Sequence, residues 1–182
     1  MSSLGHIQPH PARENHFGSK DVLVLLREHH WLTPEPSLEH LAFCERAAAL
    51  LGPHAADRSG LAELLQLVFH YDAASILQTV EAHAVLSRYA ARDVIRQLAL
   101  FLLDQTPFNS DRFKNVVTLL KETLEVRGRD LFHPLRLALA GRPGEGEFDR
   151  VILLLDEAAA LPFDIPVKSA RTRILEFCSA LD

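Results

Sequence analysis

A chain of 182 residues with 48% hydrophobic and 24% charged side chains has enough apolar matter to build a core and lacks the composition of a disordered segment. No apolar run approaches the roughly 20 residues of a membrane span, and the N-terminus has neither a basic start nor an apolar signal-type stretch, so a cytoplasmic protein is expected. The net charge of −5 argues against a general phosphate-coating nucleic-acid binder. That charge is uneven. Residues 1–111 carry 8 Lys/Arg against 13 Asp/Glu, whereas residues 112–182 carry 11 of each, so a phosphate-facing surface is expected in the second half or on one local face.

Residues 1–20 mix Pro, His and Gly without periodicity and read as a mobile tail. Helical patterns follow at Val22–His30 and Leu38–Leu51, with Thr33-Pro34-Glu35-Pro36 between them and Ser37 placed to cap the second. Gly52-Pro53 stops it. Leu61, Leu64, Leu65 and Val68 stripe a third helix ending near His70, and a long helix is expected from Ser75 to Asp104. Pro107 lies beyond its end. Asn109 is positioned to cap the next helix, with Phe108 and Phe113 as a hydrophobic staple and Phe113, Val116, Val117, Leu120 and Leu124 as its buried face. Arg127-Gly128-Arg129 reads as a helix terminus, and Pro134 as the first turn of a short helix. After a loop at 142–146, Phe148, Val151, Ile152, Leu155 and Ala159 stripe one helix. Beyond the Pro162–Pro166 turn, Val167, Ala170, Ile174, Cys178 and Leu181 stripe the last. No segment alternates with period two, so an all-α fold is expected, divided at Gln105–Phe108 into 21–107 and 108–182.

Cys44 and Cys178 read as small buried hydrophobes rather than a disulfide. The ten histidines show no His-x3-His or CxxC spacing, and neither a metal nor a cofactor is expected. Gly5-His6-Ile7-Gln8-Pro9-His10 is a poor imitation of a His-Ile-Gly-His signature, because it has no second glycine and follows no strand. No Gly-x-Ser-x-Gly elbow, phosphate-binding glycine loop or carboxylate pair suggests catalysis.

Leu131-Phe132-His133-Pro134-Leu135-Arg136-Leu137-Ala138-Leu139-Ala140-Gly141 resembles the Leu-Phe-x-Pro-Leu-Arg-x-Ala-Leu-Thr-Gly motif in the C-terminal half of bacterial glutamyl-tRNA synthetases. The resemblance extends upstream through 21–49 and 57–72 and downstream through 148–156. It implies two helical anticodon-binding subdomains standing without the ATP-binding catalytic half, a non-catalytic module for tRNA, with tRNA-Glu as the first candidate. It also implies that Arg136 reaches the anticodon, with Pro134, Leu135 and Phe148 beside it and Arg142 and Gly146 in the following loop. A guanidinium suits that task, since it can stack on a base and donate two parallel hydrogen bonds. Its structural alternative is an ion pair with Asp130 or Glu125. The chain departs from the motif at Ala140, at Asp156 and in the acidic loop Glu145-Gly146-Glu147.

Arg88, Arg92 and Arg96 recur at i, i+4 and i+8 on the expected long helix and form a candidate phosphate ridge, or a solvated face tied to neighbouring acids. The rival reading is a helical scaffold that pairs with a protein partner or with itself. The acidic first half, the Glu145/Glu147 loop and an exposed Trp31 would favour it.

Overall fold

The computed structural model describes residues 14–182, and among them every regular element is helical. The elements are α1 (Ser19–Glu28), α2 (Leu38–Leu51), a 3₁₀ turn (Gly52–His54), α3 (Arg58–Phe69), α4 (Ala73–Leu77), α5 (Val80–Leu86) and α6 (Ala91–Phe101). They continue as α7 (Ser110–Leu124), α8 (Arg129–Ala140), α9 (Glu147–Ile152), α10 (Leu155–Ala159) and α11 (Ala170–Leu181). The Gly5–His10 segment and most of the expected tail lie outside the described residues.

Short polar side chains start many of these helices by accepting an otherwise unpaired backbone N–H. Ser37 accepts from His40, Asp57 from Gly60, Thr79 from Ala82, Asn109 from Arg112 and Ser169 from Thr172. The expected staple is present, with the Phe108 and Phe113 rings 5.7 Å apart.

The expected long helix from Ser75 to Asp104 is instead three helices, α4, α5 and α6. Thr79 ends one and starts the next, its hydroxyl donating to Ile76 O while accepting from Ala82 N. Ala90 then turns the chain with φ 65°. These bends let Ala73, Ala82, Val85, Val94 and Ile95 all reach the core, which a straight rod of that length could not do. Arg88 consequently lies in the α5–α6 turn, off the helix that carries Arg92 and Arg96.

The single helix expected over 148–159 is also broken, at Leu153–Leu154. Val151 through Leu155 are five consecutive buried residues, more than one helical face can bury, and the turn between α9 and α10 turns each of them inward. Glu125 (φ 54°) is the left-handed residue that ends α7, whereas Gly128 (φ 56°) opens α8, its carbonyl accepting from Leu131 and Phe132. Pro134 therefore lies inside α8 rather than in its first turn. Its missing N–H deprives only the Asp130 carbonyl, on an exposed residue that water can reach.

Trp31 is 1% exposed, not a surface residue. His30 (φ 56°) folds the chain back after α1, and the indole stacks between His29 and Phe69 while its Nε1–H donates to His70 Nε2 at 3.3 Å. Phe163 joins this aromatic layer against Phe43 and Phe69, and Asp164 N donates to Trp31 O at 2.8 Å. Buried His40 accepts from Ser37 N at Nδ1, which leaves its Nε2–H to donate to Pro162 O at 3.2 Å.

α8 is the centre of the assembly, packed against α5, α6, α9 and α11, while α9 reaches back to α2 and α3. Buried side chains from 21–107 and from 108–182 form one cluster. Both thiols are free, Cys44 buried and Cys178 half-buried, and burial pushes Cys44 up to about 11. Among the described residues no helix is long and apolar enough to cross a membrane, and no group of three or more His, Cys, Asp or Glu could hold a metal ion.

Candidate functional site

Arg136 leaves α8 toward the following loop, where Asp149 of α9 receives it in fork geometry: Nε donates to Oδ1 at 2.8 Å and Nη2 to Oδ2 at 3.0 Å. Nη1 donates to the Gly144 carbonyl at 3.1 Å, and the guanidinium lies 4.8 Å over the Phe132 ring. Its partner is thus Asp149, not Asp130 or Glu125. With its side chain 11% exposed, Arg136 spends its donors on holding the loop to α9.

That loop is shaped by glycine at two places. Gly141 takes φ 85° at the end of α8, where Ile76 would crowd a side chain. Gly144 lies against Phe148 so closely that a Cβ there would stand 1.5 Å from the ring. Gly144→Ala must displace either the buried ring or the carbonyl that Arg136 holds. We expect it to cost about 1–3 kcal/mol, read as a lower urea midpoint; an unchanged midpoint would mean that loop and ring separate freely.

Pro134 and Leu135 are buried in the core and offer a ligand no surface in this structure. Phe148 is also buried, with the exposed Arg142 guanidinium 5.7 Å from its ring and 3.9 Å from Glu81. Such half-exposed pairs contribute little and exchange readily with solvent. Gly146 precedes α9 with nothing near its Cβ position. Arg92 is exposed on α6, and Arg96, one turn on, lies 4.0 Å from Asp182.

Arg88 in the α5–α6 turn donates to His133 Nδ1 of α8 at 3.2 Å. An arginine can only donate, so the imidazole accepts at Nδ1 and is neutral. Burial holds His133 below the usual histidine value, and Arg88, Arg136 and Arg129 push the same way while Glu145 opposes. Beside Arg88, the Tyr89 ring is 94% exposed. The sequence marked His133 only as one of ten histidines without metal-ligand spacing and Arg129 only as part of a helix terminus, and it gave Tyr89 no role. The recoverable signal was Arg129, His133 and Arg136 at i, i+4 and i+7, which share a helix face.

A cleft of about 620 Å³ between the α6–α7 connection and α10–α11 is separate from this face. Asp156 lines it and accepts from Phe108 N and Ala170 N at 2.7 and 3.0 Å, so the departure from the motif at 156 is a cap joining three segments.

Residues 22–158 match the anticodon binding domain family. The chain belongs to that family. It is similar to glutamate-tRNA ligase 2 of Syntrophus aciditrophicus (strain SB), 36% identical over 78 residues, which are 42% of this chain and 16% of that ligase. It is similar to glutamate-tRNA ligase 2 of Thermoanaerobacter pseudethanolicus (strain ATCC 33223 / 39E), 36% identical over 63 residues, 34% of this chain and 13% of that one. The matched stretches thus span less than a fifth of each ligase. No solved structure matches the chain. The anticodon binding domain match contains the face around Arg88, His133, Arg136 and Arg142, whereas Phe163 and all of α11 lie beyond its end.

Proposed function

We propose that this chain is a non-catalytic tRNA-binding module whose contact face runs from the α5–α6 turn across the start of α8 to the 142–146 loop. The observation that carries this reading is an unshared cationic edge: among the described residues, Arg88, Arg92 and Arg129 form no ion pair, unlike Arg136, Arg142 and Arg96. Free guanidinium groups attract phosphate, and an exposed ring such as Tyr89 is a platform for an unpaired base. Arg88 and Arg92 serve as phosphate contacts, Arg142 exchanges Glu81 for RNA, and Arg136 positions the loop. Pro134, Leu135 and Phe148 support it from the core, and Gly146 lets a backbone approach. Arg96 lies at the far end of this edge. Similarity to glutamate-tRNA ligases makes tRNA-Glu the first candidate ligand, in glutamyl-tRNA aminoacylation in the cytoplasm, with no metal or cofactor required.

The test is an anisotropy titration against total tRNA at low and physiological salt, with Arg92→Glu alongside. We expect saturable binding that weakens steeply with salt, and a variant whose affinity is lower and whose salt slope is shallower by about one or more. Absence of binding at low salt would overturn the reading and leave the scaffold alternative. That alternative no longer has Trp31 but keeps the acidic first half and the Glu145/Glu147 loop, and gains the exposed Leu100, Leu103 and Leu119 of α6, its C-terminal flank and α7.

A further inference from the structure

Arg88 meets His133 from another element, and two further arginines share the His133 face of α8, one turn before and one turn after it. Arg88 comes from the α5–α6 turn, and Arg129 stands one turn before His133 on α8. Arg136, one turn after, is already neutralised by Asp149 and adds no free donor. The remaining charged group acting on the imidazole is Glu145 of the loop, while Lys121 of α7 lies over the neighbouring Phe132. The Arg88 contact exists only while Nδ1 carries no proton. Protonation ends it, releases the Arg88 guanidinium and adds an imidazolium beside it.

We infer that Arg88, Arg129 and His133 form a phosphate-binding site that takes up one proton at His133 when it is filled. A phosphate seated there accepts from Arg88 and from the new Nδ1–H, and its negative charge offsets the burial and the neighbouring arginines that together hold His133 of the empty site below the usual histidine value. The balance is simple: one proton moves from solvent to His133 Nδ1, and the Arg88 hydrogen bond passes from the imidazole to a phosphate oxygen. Affinity therefore rises as pH falls, because the filled site binds the proton more tightly than the empty one. This deepens the tRNA reading and rests on it for the source of the phosphate.

The experiment titrates labelled total tRNA with the full chain at about pH 8 and about pH 6, around the ordinary histidine value, at fixed ionic strength. Wild type is compared with His133→Asn, whose amide can accept from Arg88 but cannot titrate, and with His133→Lys, a permanent cation. In parallel, the His133 imidazole is titrated by NMR with and without inorganic phosphate. Wild-type affinity is expected to rise several-fold at the lower pH, by at most about ten-fold per pH unit for one proton, with that increment lost in both variants. A His133 titration that moves to higher pH with inorganic phosphate assigns the site to phosphate in general; movement with tRNA alone assigns it to an RNA phosphate. Binding with the same pH dependence in His133→Asn overturns this inference and leaves the tRNA reading standing. A response to inorganic phosphate without tRNA binding does the reverse, and no response to either overturns both.

Discussion

Replacing Arg173 with methionine is expected to destabilise the fold by about 3–5 kcal/mol, because it leaves four carbonyls without their donor and each buried polar group left unpaired costs roughly 1–3 kcal/mol before relaxation, against a total stability of roughly 5–15 kcal/mol for a domain. Arg173 is fully buried on α11. Its Nη1 donates to Leu67 O and Leu139 O at 2.9 and 3.0 Å, Nη2 to Val68 O at 2.6 Å, and Nε to Lys168 O at 3.0 Å. Leu67 and Val68 lie in the last turn of α3 and Leu139 in the last turn of α8, where carbonyls have no partner within their own helix. One planar guanidinium thus caps two helices at once. Burial lowers its pKa to about 10, and Tyr71 and Glu176 favour the charge, so it remains a cation at neutral pH.

Tyr71 completes the arrangement. Its ring lies 4.8 Å beneath the guanidinium, and its hydroxyl donates to Ala138 O. Methionine preserves length and apolar packing but strands four carbonyls. Arg173→Lys should recover only part of the loss, because a point charge cannot reach carbonyls in several directions. Urea midpoints measure the series, and a methionine variant as stable as wild type would show that water replaces the network without penalty.

Arg136→Ala is expected to cost about 3 kcal/mol, since it leaves the largely buried Asp149 carboxylate without a partner and frees the Gly144 carbonyl. Arg136→Ala with Asp149→Ala should be less damaging than the sum of the single changes, because no lone charge remains. The same variants separate positioning from contact. If Arg136 acts through the loop, both single variants lose tRNA affinity together. If Arg136 instead touches RNA, Asp149→Ala retains binding while Arg136→Ala does not, and the positioning role proposed above fails.

Much of the fold was legible because its signals are local. Ser37 and Asn109 cap helices through hydrogen bonds to residues three positions on, and the Phe108–Phe113 staple spans one turn. The breaks inside 75–104 and at 153–154 were not legible, because an apolar stripe continues in sequence even where the chain turns to face a different neighbour. Pro134 illustrates the same limit: proline is compatible with a first turn and with an early interior position whose orphaned carbonyl faces water, and the position of Gly128 decided between them.

The site divides along the same line. The sequence by itself determined an all-helical chain and pointed to the segment around Arg136, since helical periodicity, caps and a short motif are all carried by residues close in the chain. Only the tertiary structure decided that Arg136 is tied to Asp149, that Trp31 is buried, that Arg88 meets His133 from another element and that Arg173 joins α3, α8 and α11. Those outcomes depend on which charges and carbonyls become neighbours after the helices pack, and one sequence records what each residue can offer without recording what stands opposite it.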